Sequence, residues 1–177
     1  SATNPAGEST NSLPASVQPM AYLPLFQPGG FLFITFTGEG SPLTEQGYLG
    51  LSQDGLHWTG LNSGRLVMAS TVGTRGVRDL FLIRSPDGRK VYAIATDLSV
   101  YYLNGNWTKA QTAGSHSIVV WESSDLVNWS QPRLAEVAAT DAGCTWAPEA
   151  IYDETTGDFR QLDLDRENTN PRFVLPD

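Results

Sequence analysis

Two carboxylates stand at matching places in this sequence. Asp79, in Gly76-Val77-Arg78-Asp79-Leu80-Phe81, precedes one apolar run, and Glu149, in Trp146-Ala147-Pro148-Glu149-Ala150-Ile151-Tyr152, opens another 70 positions later. Each acidic residue is followed by an apolar strand, a turn ending in glycine and then an aromatic residue. An ionised carboxylate only accepts hydrogen bonds and protons. At a strand entrance it therefore either closes a turn or is aimed at something beyond the sheet. His57 and His116 are far apart and have no cysteine beside them, so neither a metal nor another cofactor is expected, and both read as surface or packing residues.

The elements that must carry these carboxylates are short strands. Phe81-Leu82-Ile83 and Val91 to Ala95 flank Pro86-Asp87-Gly88, whose residue types set up a tight turn. Phe31 to Thr37, Gly47 to Ser52, Ser117 to Glu122 and Pro132 to Val137 are rich in β-branched and aromatic residues and read as further strands. Ile118-Val119-Val120-Trp121 is apolar on both faces, as a strand inside a stack of sheets must be. Leu98 to Gly114 reads as a long polar and aromatic connection. Ser52-x-Asp54-x-x-x-Trp58 recurs as Ser123-x-Asp125-x-x-x-Trp129, displaced by 71 positions. A repeated unit of several short strands points to a β-propeller, with Asp54 and Asp125 serving turns and Trp58 and Trp129 packing between sheets.

Composition narrows the class of partner. The 177 residues suffice for one domain with a core, and five tryptophans with 17 glycines favour strands and turns over helices. A formal charge of -8 argues against nucleic-acid or anionic-membrane partners. No apolar run approaches the ~20 residues that span a bilayer. The single cysteine, Cys144, excludes an internal disulfide framework. Two sequons, Asn106-Trp107-Thr108 and Asn128-Trp129-Ser130, lean towards secretion.

Several motifs together resemble glycoside hydrolase family 43: Gly76 to Phe81, Ile94-Ala95-Thr96-Asp97-Leu98, Ile118 to Ser130, and Trp146-Ala147-Pro148-Glu149. The likeness covers residues 22 to 159 and is closest to the arabinofuranosidase-like members. It implies an all-β fold of the five-bladed propeller type, present as roughly two blades, and inverting hydrolysis of arabinose- or xylose-containing plant polysaccharides. In that family one carboxylate is the general base on water, a second tunes the proton donor, and a later Glu is the general acid. The resemblance places the base at Asp79, with Leu80 where proline is usual, and the pKa-tuning residue at Glu149. Inversion needs carboxyl groups ~6.5–9.5 Å apart to admit water beyond the sugar ring. Tyr101, Trp107 and Trp146 are the candidate sugar contacts, with ordinary loop packing as the other reading of Trp107 and Tyr101-Tyr102.

The general acid of the family lies in a Glu-Gly-Pro segment, and this sequence has none. The expected organisation is a flexible arm over residues 1–19, a partial propeller over 20–159, and a polar tail over 160–177 too charged to complete a blade. The chain reads as a shortened family member, catalytically incomplete by itself, or else as a non-catalytic carbohydrate-binding or interaction fragment able to self-associate through open propeller faces. Invertases and fructanases are a weaker resemblance, through Arg78-Asp79 and Ser123 to Trp129; their Asn-Asp-Pro-Asn segment is missing.

Overall fold

The computed structural model describes residues 29–162, together with three two-residue strands outside that span. In chain order the strands are β1 (Thr3–Asn4), β2 (Gly7–Glu8), β3 (Phe31–Thr35), β4 (Tyr48–Ser52), β5 (Thr59–Gly60), β6 (Val77–Arg84), β7 (Val91–Asp97), β8 (Ser117–Ser123), β9 (Arg133–Glu136), β10 (Glu149–Asp153), β11 (Asp158–Leu162) and β12 (Arg172–Phe173). A 3-10 turn at Asn62–Gly64 and the helix α1 (Trp107–Thr112) complete the set. Apart from β1 and β2, the expected arm and the segment Met20 to Phe26 lie outside the described residues.

Three antiparallel sheets follow one another along the chain: β3-β4-β5, β6-β7-β8-β9 and β10-β11-β12. Each joins its strands in sequence order, every neighbouring pair antiparallel. The middle sheet is held between the other two. Ala93, Ala95, Val119 and Trp121 on one of its faces pack with Ile34, Leu49 and Met68 of the first sheet region. Tyr92, Ile94, Ile118 and Val120 on its other face pack with Ala150 and Phe159 of the third. All seven residues of β7 are buried, which is why Val91 to Ala95 shows no alternation.

The turns repeat as their sequences do. Gly55 N–H and Leu126 N–H donate to the hydroxyls of Ser52 and Ser123, each at 2.8 Å. Asp54 Oδ1 then accepts the N–H groups of Leu56 and His57, and Asp125 Oδ1 those of Val127 and Asn128. Between β6 and β7 the turn Ser85-Pro86-Asp87-Gly88 closes with Gly88 at φ +71°, a conformation that glycine adopts without steric cost.

Two expectations need correction. Residues 98–114 are not merely a connection: Asn106 accepts the Lys109 N–H at 2.9 Å and caps α1. The first central strand begins at Val77, so Asp79 lies within it and not at its entrance. Phe81 and Ile83 lie on the face of the middle sheet opposite to Val119 and Trp121, which are fully buried. In the tail, Arg172 and Phe173 pair with Arg160 and Phe159 at the edge of the third sheet.

Candidate active site

Asp79 is aimed by a β-bulge. Arg78 pairs with Thr96, but Phe81 pairs with Ile94, so β6 carries one residue more than β7 across this step. The parity of the strand flips there. Val77 packs towards the first sheet, and Phe81, four residues on, packs towards the third. Asp79 takes up the change at φ +48°, a left-handed conformation that aspartate tolerates better than most residues. Bulges of this kind redirect a side chain out of the regular alternation. The carboxylate is exposed, and Oδ2 accepts a 3.2 Å hydrogen bond from the Thr96 hydroxyl.

The segment that leads into Glu149 is tied to the same hydroxyl by its backbone. Thr96 is fully buried in β7, and its Oγ1 accepts the Ala147 N–H at 2.8 Å. Ala147, at φ +48°, turns the chain after Trp146; Pro148 is fully buried, and exposed Glu149 begins β10. One hydroxyl therefore joins the Asp79 bulge to the Trp146–Glu149 segment, and β10 lies against β6. Asp79 and the Ala147 backbone thus share one partner, the Thr96 hydroxyl.

No backbone N–H among the described residues reaches the Asp79 carboxylate, in contrast with the true turn formers. Asp125 is held well below the usual carboxylate range, first by the Asn128 N–H and then by the Asn128 side chain and the Val127 N–H. Asp54 is lowered likewise, first by the His57 N–H and then by the His57 side chain. Asp87 and Asp153 are lowered chiefly by the hydroxyls of Ser85 and Thr155. The turn reading of Asp79 thus has no hydrogen bond to support it.

Aromatic residues flank the bulge. The Arg78 guanidinium lies 4.5 Å over the Phe36 ring and 5.1 Å over the Trp107 ring. It bonds Glu39 at 2.8 Å and approaches Glu45 at 3.4 Å. Trp107 meets Trp146 edge to face, with ring centroids 6.1 Å apart. Arg78 and Trp146 thus hold Trp107 with over a third of its surface exposed. Tyr101 stands edge to face with Tyr102, whose ring lies under Arg75 at 4.2 Å.

Glu45 was not anticipated from sequence. It is fully buried, and its carboxylate accepts the Ser99 hydroxyl at 2.6 Å, the Val100 N–H at 2.8 Å and the Tyr101 N–H at 3.2 Å. It fixes the loop that carries Tyr101 and reaches Arg78 as well. Gly76 lets β6 start against this loop, since a Cβ there would stand 2.6 Å from Ser99 Cβ. Thr96 stands out only as part of a motif; an internal threonine in a strand gives no sign that its hydroxyl joins a neighbouring bulge to the segment before β10. The histidines are elsewhere: His57 Nδ1 lies 2.7 Å from Asp54 Oδ2, and His116 Nε2 donates to Ala142 O at 2.6 Å.

Residues 27–161 match the glycosyl hydrolase 43-related family, described as a probable glycosyl hydrolase domain. The chain belongs to that family. Its fold is all-β with antiparallel sheets, as such a domain implies. The chain is also similar to an α-L-arabinofuranosidase of Bifidobacterium longum subsp. longum, at 39% identity over 98 residues, covering 52% of this chain and 9% of that protein. It therefore spans a small part of the length of this relative. No solved structure matches it. A glycosyl hydrolase 43-related domain suggests a carbohydrate as the class of molecule bound.

Proposed function

We propose that this chain is part of an inverting glycoside hydrolase acting on arabinose- or xylose-containing polysaccharides, with Asp79 as general base and Glu149 tuning the proton donor. The carrying observation is the single Thr96 hydroxyl that joins the Asp79 bulge to the Ala147 segment. In the base step, Asp79 takes a proton from water as the water oxygen attacks the anomeric carbon, and the bond to the leaving group breaks with its electron pair. Trp107, Tyr101 and Trp146 line the approach and offer ring faces and edges to a sugar. Arabinofuranosides are the first substrates to try, given the name of the bacterial relative. The antiparallel sheets are read as part of a five-bladed propeller, of which this chain carries roughly two blades; the four-stranded middle sheet is the fullest of them.

The proton donor belongs to sequence outside these motifs, as no Glu-Gly-Pro occurs in the chain. General-acid assistance contributes about 10²–10⁴-fold. The purified chain should consequently leave 4-nitrophenyl α-L-arabinofuranoside almost untouched, while slowly hydrolysing the 2,4-dinitrophenyl glycoside, whose leaving group departs without a proton. Asp79→Ala should abolish the slow reaction. A second reading, carbohydrate binding without catalysis, is favoured by the same missing donor beside an intact aromatic shelf. Sugar binding that weakens on Trp107→Ala, with no Asp79-dependent turnover of either glycoside, would select it.

A further inference from the structure

We propose that Thr96 is a positioning residue that divides the work of the two Asp79 oxygens. The inference rests on the reading of Asp79 as general base. The Thr96 hydroxyl has one proton to donate and lone pairs to accept with. Ala147 N–H, 2.8 Å away, occupies the accepting side of Oγ1. The hydroxyl proton is thereby left for Asp79 Oδ2 at 3.2 Å. Because Thr96 is fully buried, no water competes for that proton. Oδ2 is tethered, and Oδ1, which has no partner among the described residues, is the oxygen that receives the proton from the attacking water. The chain of donors runs one way, from Ala147 N–H through Thr96 to Asp79, and each bond polarises the next. The hydroxyl fixes the rotation of a side chain that the bulge alone leaves free on an exposed surface.

Two measurements on the full chain test this. In the first, amide hydrogen exchange at Ala147 is followed in Asp79→Ala, Thr96→Val and the double substitution, with Val119 in β8 as the folding control. Thr96→Val should speed Ala147 exchange about tenfold, as the bonded N–H loses its acceptor. Asp79→Ala should speed it about threefold when Thr96 is intact and not at all beside Thr96→Val, the signature of coupled groups. Exchange at Ala147 that ignores Asp79→Ala overturns the inference.

In the second, turnover of 2,4-dinitrophenyl α-L-arabinofuranoside is compared. Thr96→Val should lower kcat about tenfold with KM unchanged, and Thr96→Ser should restore kcat to within about twofold. Turnover that requires Asp79 but ignores Thr96→Val overturns the inference alone. Turnover that ignores Asp79→Ala, or none at all by the unaltered chain, overturns the base reading beneath it.

Discussion

The carboxylates of this chain divide by what they accept. Asp54 and Asp125 each gather two backbone N–H groups within their own turn, whereas Asp79 takes one hydroxyl from a neighbouring strand. The turn pair gives a pH dependence with a definite sign. Their folded pKa values are depressed, so the unfolded chain takes up protons first, near the ordinary aspartate value of about 3.9. Their contribution is fully present above that value and is lost as pH falls through the folded values. Thermal melts should therefore show no loss from this pair between pH 7 and about pH 5, and a progressive loss below about pH 4. Asp54→Asn with Asp125→Asn should flatten that acid limb; an unchanged limb would mean that the turns carry none of it.

At the scale of elements, the loop after β7 depends on a residue from a distant loop. Glu45→Ala would strip the Ser99 hydroxyl and the Val100 and Tyr101 N–H groups of their acceptor and leave Arg78 with Glu39 alone. Removing one partner from such a buried ionic cluster costs about 3–5 kcal/mol. Chemical denaturation should read that loss, with Val77→Ala as an ordinary core comparison. The strands themselves were legible, because Phe31, Val91 and Ile118 open runs whose β-branched and aromatic residues have few other uses. The turns at Asp54, Asp87 and Asp125 were legible for the same reason: serine, aspartate and glycine at fixed offsets have a mechanism. Helix α1 was hidden, since a six-residue segment with only Ala110 buried is too short to display a period. The bulge was hidden too: an extra residue in a strand leaves no compositional mark, and Asp79 looks the same at a strand entrance as within one. Glu45 is a lone acidic residue in Pro42-Leu43-Thr44-Glu45-Gln46, with no motif around it; only tertiary contact reveals its burial.

Among the described residues the middle sheet is stacked between two others, and one face of the first carries exposed apolar side chains. Phe31 is 55% exposed, Phe33 53% and Trp58 46%, with Phe33 and Trp58 edge to face at 5.6 Å. The internal repeat says what such a face is for. Trp129, which corresponds to Trp58, packs into the contact between the middle and first sheets. Exposed apolar surface of this kind favours association, and we expect the isolated chain to self-associate through it. Sedimentation velocity should show species larger than a monomer that recede on Trp58→Ser with Phe33→Ser. A concentration-independent monomer with a sharp melt would rule this out.

The repeated hairpin also gives the chain an optical consequence. Trp129 and Trp58 end the same turn, yet one is sandwiched and the other half open. Iodide in solution should quench Trp58 and the partly exposed Trp107 while sparing Trp121, which is almost wholly enclosed. A sugar on the shelf would shield Trp107, and a docked sheet would shield Trp58. Replacing either indole by phenylalanine removes its share of the quenching, so the difference between the two variants reports which of the two surfaces has been covered.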